Sequence, residues 1–262
     1  MRDPHVASLR YRFVADETVS FDCPPPVERE TEAFRMRLED GVATFEMIEH
    51  PASEETARRR VEEYLQAWEI DAALRPGREE VRFEFEEADV IDRDPPPPGS
   101  GHVIYGEAAM AATGVLTATP HVTRRQYPDP PDKFVVSPDV ETMWFHYQEF
   151  RGGRERLVDM GNFCLTVLEE STGGHKRRRQ EAADTYSIES DVLDALGRLT
   201  GNVGDYKTAR KAKGLTERRP HTSAEETWIS AAVKKLIRRA GEWAYDPGAS
   251  LPEITMSELP KL

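Results

Sequence analysis

The sequence predicts an α+β protein: an N-terminal mixed or antiparallel β-sheet with one main helix, then a C-terminal bundle of about four helices. Three observations carry this. Apolar and charged residues alternate with period two in short runs between Leu9 and Glu86. From Ser137 onward the apolar period becomes that of a helix. The length, 262 residues, suits one large or two small domains at roughly 100–200 residues each.

The elements follow in order. Leu9–Val14 alternates as a strand with one buried face. Cys23-Pro24-Pro25-Pro26 excludes a strand, because proline cannot donate to a sheet ladder. Ala33–Leu38 and Val42–Ile48 alternate on either side of Glu39-Asp40-Gly41, the signature of a hairpin with an Asp-Gly turn. Ser53 caps a helix whose first turn holds Glu54 and Glu55 and whose buried stripe is Ala57, Val61, Tyr64, Leu65 and Trp68. Arg75-Pro76-Gly77-Arg78 turns the chain into a strand over Val81–Glu86. The run Asp94–Gly101, with four successive prolines, reads as a stiff linker or exposed loop. His102–Tyr105 and Thr113–Ala118 are further strand candidates, and Asp129–Asp132 closes this half.

Ser137-Pro138-Asp139 opens the first helix of the second half, with stripe Val140, Met143, Trp144 and Tyr147. The second carries Leu157, Met160, Phe163, Cys164, Val167 and Leu168 and ends at Gly173-Gly174. The third carries Ile188, Val192, Leu196 and Leu199. The fourth starts at Thr222-Ser223, where Ser223 and Glu226 have capping-box spacing, and carries Ile229, Val233, Leu236, Ile237 and Ala240. The organisation is thus a β-rich domain over 1–136, a helical domain over 137–243 and a loosely packed tail over 244–262.

Composition excludes several classes. Two cysteines make neither a disulfide framework nor an all-cysteine zinc site. No apolar run is long enough to span a membrane, and the first residues lack the apolar stretch of a signal peptide, so a cytoplasmic protein is expected. The net charge is −13, but residues 1–150 hold 16 Lys and Arg against 31 Asp and Glu, whereas residues 151–240 hold 18 against 13. Such asymmetry points to polyanion contact by the basic part or to electrostatic contact between parts.

Motifs for chemistry are sparse. There is no phosphate-binding glycine loop, dinucleotide fingerprint, nucleophile elbow or His-Glu-x-x-His pair. The seven histidines stand without metal-ligand spacing, so neither a metal nor another cofactor is expected. Cys164 lies on an apolar stripe and reads as a core residue. Glu84 and Glu86 alternate with Phe83 and Phe85, which makes them the wet face of a half-buried sheet. The basic clusters are more informative. Lys176, Arg177, Arg178 and Arg179 follow the Gly173-Gly174 stop on a loop or a helix start, and at a helix start the dipole disfavours cations. Lys207, Arg210, Lys211 and Lys213 flank Tyr206 and Gly214, a pattern that can neutralise phosphates beside a stacking ring.

The pattern from Ser137 onward resembles the HEPN-type helical domains of bacterial toxin–antitoxin and phage-defence proteins. The likeness covers paired helices, the helix Ile188–Leu199, a basic connection and the closing helix Thr222–Trp243. Active members of that family are metal-independent ribonucleases marked by an arginine followed by four to six residues and then a histidine. No histidine of this chain has an arginine at that distance. The segment Gly204–Ala212 with the closing helix is also similar to bacterial proteins of unassigned activity. The expectation is therefore a non-catalytic or degenerate HEPN-like protein that binds RNA or a nucleotide through its basic helical half, in phage defence or stress response. One alternative is a metal-independent ribonuclease in which Arg210 holds phosphate and His221 is the base. Another is a protein–protein adaptor that uses the acidic half. Neither excludes a homo-oligomer, and no membrane partner is expected.

Overall fold

The computed structural model describes residues 3–75, 80–94, 122–173, 177–205 and 216–262. The protein is α+β, as the patterning predicts. It divides into two compact units, Met1–Ala73 with Gly77–Pro130, and Leu74–Pro76 with Pro131–Leu262.

In the first unit the strands are β1 (Pro4–Ala15), β2 (Val19–Phe21), β3 (Val27–Glu30), β4 (Phe34–Glu39), β5 (Val42–Met47), β6 (Val81–Asp92) and β7 (Val122–Arg124), with helix α1 (Glu54–Leu74) between β5 and β6. Five of them form an antiparallel sheet in the order β3-β4-β5-β1-β6, and β2 pairs with β7 in parallel. The predicted hairpin is present, with Asp40 and Gly41 both at positive φ (50° and 77°), the conformation whose twist suits a two-residue connection. The break at Cys23–Pro26 is also present, between β2 and β3.

Strand β6 is twice as long as its alternation suggests. The reason is a bulge: Arg10 pairs with Glu87 and Tyr11 with Phe85, so Glu86 is extra and every later residue changes face. One sheet face buries Leu9, Tyr11, Phe34, Met36, Leu38, Phe45 and Met47 against Ala57, Val61, Leu65 and Trp68 of α1. Ser53 caps α1 by accepting from Thr56 N (3.2 Å). The opposite face is a charge ladder, with Arg10–Glu87 and Arg12–Glu84 both at 2.6 Å and Arg37 on Glu28 and Glu39. The acidic alternation is thus a solvated, internally paired surface.

The second unit holds α2 (Pro138–Arg151), α3 (Leu157–Ser171), α4 (Arg178–Tyr186), α5 (Ser190–Gly201) and α6 (Ser223–Tyr245), then a 3₁₀ turn, Met256–Glu258. Ser137 caps α2 through Val140 N, and Pro138 opens it. Helix α4 was not legible: its mean composition is strongly polar and its buried residues are two alanines and a tyrosine. The capping box of α6 is Thr222 with Glu225, one residue earlier than Ser223 with Glu226. Glu225 accepts Thr222 N (2.8 Å) and is also gripped by Arg219, and this second anchor fixes the register.

The tail is tightly held rather than loosely packed. Ile254 bridges to Ile188 and is buried, and Lys235 pairs with Glu258 (2.7 Å). Arg239, 4% exposed, donates to the carbonyls of Tyr186, Ser187 and Pro252 at 2.6–2.7 Å. No helix of the described residues is long and apolar enough to cross a membrane. The strand candidates at 102–105 and 113–118 lie outside the described residues.

Candidate functional site

The cations singled out by the sequence occupy two connections of the helical unit. The first is the entry to α4. Arg177 stands exposed at the helix start. Arg178 pairs with Glu170 of α3, and Arg179 bridges Glu169 of α3 (2.8 Å) and Asp194 of α5 (3.0 Å). Gly197 gives this guanidinium its seat, since a Cβ there would meet its Nη2 at 2.7 Å. Two of the predicted phosphate ligands therefore stitch three helices together. Lys176 lies outside the described residues.

The second connection runs from α5 to α6, and its two ends are pinned. Thr216 N and Glu217 N both donate to Asn202 O (3.0 and 3.1 Å), and Gly204 N donates to Glu217 O (3.1 Å). Arg198 reaches Glu217 (3.1 Å), and Arg219 forks onto Glu217 and Glu225. The fork holds the Glu225 carboxyl down at about 2, well below the usual carboxylate range. Lys207, Arg210, Lys211 and Lys213 fall between these pinned ends and lie outside the described residues. His221 follows them and is committed: its Nε2 lies 2.8 Å from Leu199 O. A carbonyl only accepts, so Nε2 carries the proton and ties the start of α6 to the end of α5. Nothing described brings Arg210 to it.

The α2–α3 turn belongs to the same end of the unit. Gly161, in the second turn of α3, sits against Thr200 of α5 and Ile229 of α6, where an added Cβ would be 3.0 and 3.2 Å from their methyl groups. The turn itself, Gly152-Gly153, is clamped by Arg154 on Glu149 at 2.7–3.0 Å. Across it His146 Nδ1 meets Glu155 Oε2 at 2.7 Å, and the imidazole stacks on Phe163 with ring centroids 3.7 Å apart. Both side chains are partly open to solvent, at 23% and 17%. A carboxylate on Nδ1 selects the tautomer whose Nε2 is a lone pair. Sequence reasoning missed this pair. Its signal is a histidine one turn before a helix end, facing a glutamate just past a Gly-Gly.

Residues 151–240 hold 18 Lys and Arg against 13 Asp and Glu. The described residues among them hold 13 of each, so the surplus of five is Lys176 with Lys207, Arg210, Lys211 and Lys213. Within 151–240 the described residues are therefore neutral, while Asp139, Glu141 and Glu149 of α2 and the acids after residue 240 lie outside that window. Cys164 is buried, and burial pushes its thiol far up, out of nucleophilic use. Among the described residues no group of three or more His, Cys, Asp or Glu gathers as metal ligands would.

No family model, no curated protein and no solved structure matches this chain.

Proposed function

We propose that the helical unit binds RNA or a nucleotide through the α5–α6 connection, as a non-catalytic or degenerate HEPN-like protein of bacterial defence or stress response. The observation that carries this reading is the placement of charge. Thirteen described acids already answer thirteen described cations between 151 and 240, while four further cations are strung without an acid between two pinned ends. Cations placed to hold a fold have local carboxylates, as Arg179 and Arg219 do. Cations clustered in a stretch of sequence that holds no acid suit phosphates, and Tyr206, adjacent in that sequence, has a ring of the type that stacks on bases.

The test is titration of the full chain with a single-stranded oligoribonucleotide at several salt concentrations. Each phosphate neutralised contributes about −0.7 to the slope of log affinity against log salt. Replacing Lys207, Arg210, Lys211 and Lys213 together by Ala is expected to weaken binding at low salt and flatten that slope by about 3. Unchanged affinity and slope would remove the reading.

One observation favours a second reading, a metal-independent ribonuclease. The Nε2 of His221 is tied up as the donor to Leu199 O, whereas His146, oriented through Nδ1 by Glu155, keeps its Nε2 out of that contact. On this reading, EDTA-resistant cleavage of RNA is lost in His146→Gln and kept in His221→Gln. Cleavage indifferent to His146 rejects it.

A further inference from the structure

We propose that the outer face of α2 holds an unpaired base of single-stranded RNA, with the ring of Phe145 as its stacking surface and Nε2 of His146 as the acceptor for an N–H on its edge. This rests on the reading that the helical unit binds RNA, and it adds to that reading a contact made to a base instead of a phosphate.

Helix α2 turns Val140, Met143 and Tyr147 inward. Phe145 points away from that stripe and is 59% exposed, more than any other large apolar side chain among the described residues. A single apolar side chain on a surface is ordinary. This one stands beside an imidazole that is itself built into the fold. The Phe145 and His146 rings lie 5.5 Å apart with their planes at 86°. His146 in turn stacks on Phe163 of α3 and is held at Nδ1 by Glu155, just past the turn. Arg154 clamps that turn onto Glu149 (2.7 Å). The imidazole is thus oriented before any ligand arrives, which lowers the cost of binding. With Nδ1 committed to Glu155, its Nε2 has no partner among the described residues.

A ligand that uses both groups is flat and has an N–H donor on its rim. Nucleobases have both features, and every base has a face to stack. The strand that carries them also brings phosphates for Lys207, Arg210, Lys211 and Lys213. In a duplex the faces are covered by neighbouring pairs and the pairing edge is occupied, so such a site selects single strands.

The test is fluorescence anisotropy of the full chain with a labelled oligoadenylate of about ten nucleotides, and with an abasic strand of the same length. Phe145→Ala is expected to weaken oligoadenylate binding about five- to hundredfold and to leave the abasic strand unaffected. The slope of log affinity against log salt is expected to stay as it was, because no phosphate contact is lost. Phe145→Trp is expected to bind at least as tightly as the parent. Phe145 is exposed, so these changes leave the fold intact, which circular dichroism checks. A strand with purine in place of adenine lacks the exocyclic amino group and is expected to bind the parent about fivefold more weakly. His146→Phe, which keeps a ring against Phe163, is expected to erase that difference. Salt-dependent binding of oligoadenylate with equal affinity in Phe145→Ala overturns the site and leaves the RNA reading standing. Absence of binding of either strand by the parent removes both. Equal weakening of the abasic strand overturns the role of Phe145, and an adenine–purine difference that survives in His146→Phe overturns that of His146.

Discussion

Single residues in this protein owe their character to what surrounds them more than to their type. Glu69 sits on α1, whose Glu54, Glu55, Glu62 and Glu63 are exposed, yet its carboxyl accepts Phe83 N at 2.7 Å beneath the sheet. Burial pushes its pKa up to about 7, against the pull of that N–H and of Arg82. The folded value lies above the unfolded one, so the folded state holds the proton more tightly. Stability from this group is full below about pH 4.5 and is lost as pH rises through 7. Glu69→Gln keeps the acceptor for Phe83 N and removes the charge. The variant is expected to exceed the parent by on the order of 1–3 kcal/mol at pH 8 and to lose that advantage near pH 5. Urea unfolding at the two pH values measures it, and an equal difference at both contradicts the assignment. Nothing in the sequence separates Glu69 from Glu62 or Glu63; only the path of β6 past α1 does.

At the scale of elements, legibility followed periodicity. The β4–β5 hairpin could be read because Asp40-Gly41 and a clean alternation specify it locally. The second half of β6 could not, because the bulge at Glu86 shifts the pattern by one residue. Helix α4 lacks an apolar stripe and stands on ion pairs to α3 and α5, which no local pattern reveals. The packing of the tail is hidden from local pattern for the same reason, since its anchor is Arg239, fifteen residues before Ile254. Glycine placement gives a direct test of the packing that results. A Cβ on Gly241 would be 2.2 Å from the Phe134 ring, whereas one on Gly201 meets nothing within 4 Å. Gly241→Ala is expected to destabilise the helical unit by about 1–3 kcal/mol through overpacking. Gly201→Ala, at the end of α5, is expected to be neutral or to stabilise by up to about 1 kcal/mol. Thermal denaturation ranks the two, and equal midpoints would mean that α6 does not rest on Phe134 as described.

For the whole molecule, the net charge of −13 is a sum taken over the wrong distance. Exposed charges are screened beyond roughly 8 Å at physiological ionic strength, so a polyanion responds to the patch it touches and not to the total. The open sheet face offers it little, because Arg10, Arg12 and Arg37 are already paired with Glu87, Glu84 and Glu28. Residues 1–150 carry nearly twice as many acids as bases, which adds repulsion to that absence of attraction. The surplus cations between 151 and 240 are therefore the favourable target. Amide hydrogen exchange on the full chain, with and without a single-stranded oligoribonucleotide, should show slowed exchange at the ends of the α5–α6 connection, Asn202–Gly204 and Thr216–Glu217. The sheet strands β1 and β4–β6 should exchange as before. Protection centred on those strands instead would mean that the ladder of paired arginines opens to bind phosphate, and that local pairing does not decide where a polyanion docks.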